Sequence, residues 1–152
     1  MEADVSEKRV SDYLDSRAPV LSPRTRIQDA LRLVRGHGYS ALPVCEGERF
    51  LGLVREKDLL KMTPSQATLL SRHEIAGLLD RVTVGAVVTA PPVTISDDLT
   101  VREASEIMRI HSSAVLPVLR NGRYAGLISW EEILDAVMGD SPLRRDMNGG
   151  SG

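Results

Sequence analysis

Apolar and polar positions follow each other along this chain in two rhythms, and the same succession of rhythms is run through twice. Ile27, Ala30, Leu31 and Val34 recur at i, i+3, i+4 and i+7, the stripe of an amphipathic helix, and Val101, Ala104, Ile107 and Met108 repeat it. After each stripe come two short apolar runs parted by polar residues. They are Ala41–Cys45 and Phe50–Val54 around Glu46-Gly47-Glu48, then Ala114–Leu119 and Tyr124–Ile128 around Asn121-Gly122. Runs of this length predict strands, and Asn-Gly between two of them is the stronger of the two hairpin signals. Glu56–Met62 and Trp130–Met138 return to helical spacing. Ahead of each long helix, Val20-Leu21 and Val93–Ile95 predict a short first strand, approached through helical lead-ins at Val10–Leu14 and Val84–Val88.

The repetition is literal. At a constant shift of 74 positions Val10–Leu60 lies over Val84–Leu134 without a gap, most closely where Ser40–Val54 meets Ala114–Ile128. Two copies are too few for a solenoid, so the pattern predicts a pseudo-symmetric pair of strand-helix-strand-strand-helix copies, an α/β (α+β) fold, with a cleft between them in which a site can form. The expected organisation is an N-terminal tail over 1–9, a first repeat over 10–62, a linker with a helix over 63–83, a second repeat over 84–138 and a flexible tail over 139–152. Thr25 with Gln28 and Thr100 with Glu103 have capping-box spacing, although the two pairs lie one residue out of register in the repeat. Gly36 and Gly38 are expected to stop the first long helix, and Ser112 and Ser113 the second. In the linker, Thr63-Pro64-Ser65 suits a turn and a helix start, and Leu69, Leu70, Ile75, Leu78 and Leu79 offer additional apolar surface. The last residues, Asn-Gly-Gly-Ser-Gly, have the composition of disorder or of a cloning scar.

Composition narrows the function. The 152 residues are 42% hydrophobic and 26% charged, as in an ordinary soluble globular domain. A net charge of −2 and 3% aromatic residues argue against nucleic acid as a partner, since neither a basic surface nor stacking platforms are supplied. The single Cys45 excludes an intrachain disulfide and reads as a small buried hydrophobe. The polar start MEADVSEKR is not a signal peptide, and no apolar run approaches the ~18 residues of a membrane span, so the expectation is a cytoplasmic protein without a membrane partner. No P-loop, GxGxxG, zinc-spaced Cys/His cluster or nucleophile-base arrangement is visible, so catalytic residues and a metal site are expected to be absent. His37 and His111 each end a long helix, where a cation complements the dipole, and His73 stands in the linker.

Two copies of (S/A)xLPV, a hairpin and a G-h-h-x-x-x-D/E segment resemble the CBS domain, and two such domains in tandem resemble a Bateman module. The resemblance covers Val10–Met138. The linker KMTPSQATLLSRHEIAGLL further resembles the CBS part of AcuB-type acetoin-utilisation proteins, without the ACT domain many of those carry. The resemblance implies an adenosyl ligand, AMP, ADP, ATP or S-adenosylmethionine, with no cofactor required. It also implies a homodimer formed through helices. In the family signature, Gly-h-h-Thr/Ser-x-x-Asp, the carboxylate accepts from the ribose hydroxyls and the hydroxyl contacts phosphate; such charge-assisted bonds are worth about 1.5–3 kcal/mol each.

Both copies depart from that signature. The first reads Gly52-Leu53-Val54-Arg55-Glu56-Lys57-Asp58, keeping the carboxylate and placing Arg55 at the hydroxyl position; the second reads Gly126-Leu127-Ile128-Ser129-Trp130-Glu131-Glu132, keeping the hydroxyl and lengthening Asp to Glu. The resemblance implies one site from Arg55 and Asp58 with Pro92, Val93, Ser113, Val115 and Pro117. A second would combine Ser129 and Glu132 with Pro19, Val20, Tyr39, Ala41 and Pro43. The sites are expected to be unequal. Arg55 either binds a phosphate chain bidentately or folds into the cleft and fills it. Asp58 and Glu132 have a plainer reading as charges on the first turn of a helix, and Pro43 and Pro117 as residues that fix strand edges. The function implied is a regulatory sensor. The alternative is an interaction or dimerisation module with empty sites, docking on a separate, unidentified enzyme or transporter.

Overall fold

Each stripe forms its helix and each pair of apolar runs its hairpin, the first strand expected at Val20-Leu21 is reduced to a single bridge at Leu21, and each copy's lead-in is bonded to the body of the other copy. The computed structural model describes residues 8–62, 71–90 and 93–139. Along the chain it contains α1 (Val10–Tyr13), α2 (Ile27–His37), β1 (Ala41–Glu46), β2 (Arg49–Arg55), α3 (Glu56–Leu60) and α4 (Arg72–Leu79). A 3-10 turn, Val84–Ala86, follows, then β3 (Ile95–Ser96), α5 (Val101–Ile110), β4 (Val115–Arg120), β5 (Arg123–Ser129) and α6 (Trp130–Met138). The expectations for Leu69, Leu70 and the tail beyond Gly139, and for the side chains of Leu78 and Leu79, lie outside the described residues.

The chain divides into two compact units, Arg17–Val93 with Asn121–Tyr124, and Met1–Ser16 with Thr94–Arg120 and Ala125–Gly152. The first unit is built on the first copy, yet its lead-in comes from the second. Val84 donates its N–H to the Thr25 carbonyl at 2.8 Å, Gly85 to Pro23 at 3.0 Å, and Thr89 and Leu53 exchange both backbone bonds at 2.9 Å. The other unit shows the same bonds 74 positions away. Val10 donates to Leu99 at 2.9 Å, Ser11 to Asp97 at 3.0 Å, and Asp15 and Leu127 exchange bonds at 2.7 and 2.9 Å. Val84 and Val10, both without solvent exposure, anchor these borrowed segments. Val84 joins Leu21, Ile27, Ala30, Val34, Leu42, Val44, Val54 and Leu59 in one core; Val10 is buried in the unit that also buries Val101, Ala104, Met108, Leu116, Val118, Ile128 and Ile133.

The sheets are small. β1 pairs antiparallel with β2, and Leu21 adds one parallel bridge beside β1; in the second copy the order is β3-β4-β5, with β3 parallel to β4. Pro117 therefore lies in a middle strand, β4, which corrects the expectation of an edge there, whereas Pro43 lies on β1 of a two-stranded sheet whose other side carries only the Leu21 bridge. The Pro43 carbonyl accepts from Leu21 at 2.8 Å, so the next parallel bond would need the N–H that Pro43 lacks. Proline here ends a ladder and leaves Pro19 and Val20 outside it.

Other corrections are local. The capping box expected at Thr25 and Gln28 does not form: the N-cap of α2 is Arg26, without a side-chain cap, and the Thr25 hydroxyl accepts instead from the Ser22 N–H at 3.0 Å. Thr100 and Glu103 form theirs at the start of α5. Gly36 lies inside α2, and Gly38, at φ 70°, ends it in the left-handed region; Ser112, its counterpart, takes φ 51° despite its Cβ. The first hairpin loop contracts to Gly47-Glu48, with positive φ at Gly47 alone. Asn121-Gly122 has positive φ at both positions, the type I′ pattern.

Candidate functional site

In the unit built on the first copy, β2 leads directly into α3, and that junction carries Arg55 and Asp58. Gly52 explains how the junction is placed. A Cβ there would lie 2.7 Å from the Thr89 carbonyl oxygen and 2.8 Å from Val88, so only glycine lets the borrowed segment pair with Leu53. Gly126 stands against Asp15 in the same way, at 2.6 Å from its carbonyl oxygen. The first residue of the signature thus has a packing duty, while the polar residues follow where the strand leaves the sheet.

Arg55 is exposed and Asp58 half-buried, and among the described residues neither side chain takes a hydrogen bond or an ion pair. Between them Glu56 is already engaged, accepting from Arg35 Nε at 2.8 Å. Arg55 also faces Ala41 across the strand pair. Ala41 and Pro43 are buried, Tyr39 and Pro19 half-buried, and Val20 is 51% exposed. Tyr39 lies 6.4 Å from the His37 ring in a tilted arrangement. Val93 is half-buried, and Pro92 lies outside the described residues.

In the other unit Ser129 and Glu132 are committed to each other. Glu132 Oε1 accepts from the Ser129 N–H at 2.7 Å and from its hydroxyl at 2.8 Å, while Ser129 Oγ accepts from the Glu131 N–H at 3.3 Å. These are the reciprocal bonds of a capping box at the head of α6. The S-x-x-E spacing of Ser129 and Glu132 carries this signal, which neither the ligand signature nor the plainer reading of Glu132 as a first-turn charge includes. Burial pushes the Glu132 carboxyl above the usual carboxylate range; the bonds from Ser129 oppose that, and the charges of Asp15 and Glu131 add to it. Val115 and Pro117 are buried on β4, and Ser113, 8% exposed, is a buried polar side chain just before that strand. The two expected residue sets therefore divide between the units: Arg55, Asp58 and Val93 belong to one, and Ser113, Val115 and Pro117 to the other.

Among the described residues no group of three or more His, Cys, Asp or Glu side chains could hold a metal ion, and no helix is long and apolar enough to cross a membrane. Burial raises the pKa of the Cys45 thiol, as in an unreactive core cysteine.

Comparison with known proteins gives the same pattern. The family model described as CBS domain matches twice, over residues 10–64 and 84–139. Among curated relatives, the inosine-5'-monophosphate dehydrogenase of Korarchaeum cryptofilum is 28% identical over 127 residues, 83% of this chain and 24% of that protein. The chain thus spans about a quarter of that relative's length. Among solved structures, CBSX2 of Arabidopsis thaliana in complex with AMP aligns with a TM-score of 0.69 at 23% identity, covering 86% of this chain and 96% of that one. The CBS domain of a bacterial CNNM/CorC family Mg2+ transporter in complex with ATP aligns with a TM-score of 0.68 at 20% identity, covering 90% and 92%.

Proposed function

We propose, from the premise that this chain belongs to the CBS domain family, that it is a non-catalytic regulatory module sensing an adenosyl ligand: AMP, ADP, ATP or S-adenosylmethionine. Asp58 carries the reading. It is a half-buried carboxylate at the ribose position of the signature, and no described neighbour uses it. On the first turn of α3 the helix dipole favours this carboxylate, and its unbonded oxygens are acceptors for a ligand that offers two hydroxyls. AMP in CBSX2 and ATP in the transporter's CBS domain support the choice of ligand class. The test is thermal denaturation with each ligand, because a ligand at 100 times its Kd stabilises by about 2.7 kcal/mol. A raised Tm with at least one ligand is expected; no shift with any of the four at millimolar concentration overturns the reading.

An interaction module is the second reading, favoured by α6. Trp130, Leu134, Val137 and Met138 recur at i, i+4, i+7 and i+8 and are 39, 54, 52 and 73% exposed. An apolar stripe of that kind suits a homodimer through the helices, or docking on a separate enzyme or transporter. Light scattering is expected to give twice the chain mass at tens of micromolar, falling to one chain mass in Leu134→Glu; a parent protein that is already monomeric refutes the dimer.

A further inference from the structure

We propose that the two signature segments differ in ligand charge: the Arg55–Asp58 segment takes a nucleoside di- or triphosphate through Arg55, and the Ser129–Glu132 segment takes none, so that one chain binds one polyphosphate. The inference rests on the sensing function above and adds the chemical class and the number bound.

Three observations carry it. The first is the free guanidinium. Arg55 is exposed, and among the described residues it pairs with neither Glu56 nor Asp58, although both stand within three positions. An arginine folded into its own site to fill it would be buried or paired with the carboxylate it covers. The second is the local charge. Glu56 is neutralised by Arg35 at 2.8 Å, so Arg55 and Lys57 oppose Asp58 alone; at the equivalent positions the second copy has Ser129, Trp130, Glu131 and Glu132, with Asp15 acting on Glu132 as well. One segment attracts a phosphate chain and the other repels it. The third is availability. Ser129 and Glu132 spend their polar atoms on each other and on the head of α6, so a ligand there would have to break the capping box that starts the helix.

The guanidinium also sits farther from the backbone than the serine or threonine hydroxyl it replaces, and its planar fork matches phosphate oxygens bidentately. Its reach therefore favours outer phosphates over the single phosphate of AMP.

Calorimetric titration of the full chain with adenosine, AMP, ADP and ATP tests this. The expected result is one site per chain, with ATP or ADP at least about tenfold tighter than AMP, the factor expected for one charge-assisted contact. Arg55→Ala should abolish that preference while leaving adenosine binding and the melting temperature unchanged, and Arg55→Lys should restore part of it. Equal affinity for AMP and ATP, two ATP per chain, or an Arg55→Ala protein that gains affinity for every ligand would each overturn the inference while the sensing function stands. No heat with any of the four, together with no thermal shift by S-adenosylmethionine, removes both.

Discussion

Glu103 and Glu132 close the same kind of capping box, and their surroundings move their pKa values in opposite directions. The bonds from the Thr100 N–H and hydroxyl lower Glu103, with Arg9 assisting, because the carboxylate stays in solvent. At Glu132 burial dominates the equivalent bonds from Ser129, and the carboxyl is raised from 4.5. Linkage then gives opposite pH dependences. A lowered folded pKa contributes stability above the unfolded value that is lost as pH falls through the folded one. A raised pKa contributes stability below 4.5 that is lost as pH rises through the folded value. Glutamine keeps either box closed without titrating. Glu103→Gln should therefore be less stable than the parent at neutral pH, with the deficit vanishing in acid, whereas Glu132→Gln should gain on the parent as pH rises from 4 to 8. Urea unfolding across that range reads both; parallel curves for the two variants would contradict the assignment. Ser129 and Glu132 show what the sequence left hidden at the site: their spacing was legible, but a cap and a ligand signature use the same residue types.

Elements were legible wherever a buried face set the period. The stripes of α2 and α5, both hairpins and the full span of α6 follow from spacing alone, because each helix buries one face while β1 and β4 are buried nearly along their length and read as continuous apolar runs. Their starts were less legible. Thr25 had cap chemistry, but the chain turns helical only at Ile27, whose N–H reaches back to Val82, a residue 55 positions away; that tertiary bond moves the N-cap to Arg26. Arg26 already has the extended backbone of an N-cap, φ −71° and ψ 147°, and lacks only an oxygen to offer. Arg26→Thr should therefore stabilise the protein by about 1 kcal/mol, and Thr100→Ala should destabilise it by a similar amount, both measured by chemical denaturation. The middle-strand position of Pro117 escaped a sequence reading for a related reason. Whether an N–H is missed depends on how far the neighbouring strand extends, which no local pattern contains.

For the molecule as a whole, the repeat was legible at its true spacing, while the crossing of the lead-ins was not, since a shift of 74 is the same whichever body each lead-in joins. Gly52→Ala and Gly126→Ala test that crossing. Each methyl would meet a backbone carbonyl at 2.7 or 2.6 Å, and each should cost about 1–3 kcal/mol in unfolding experiments. The borrowed lead-ins also bear on descent. A single copy with this architecture has a lead-in with no body of its own to join, and a body whose core lacks the valine that Val84 or Val10 now supplies. Such a copy completes itself only by trading lead-ins with a twin. The present chain is then two interlocked twins made covalent, and cutting the covalent tie should recover them. Residues 8–70 and 71–139, made separately, should each be unfolded or self-paired, and should form a folded one-to-one complex on mixing, as read by sedimentation and circular dichroism. If either half folds as a monomer, the ancestral twin was never obligatory.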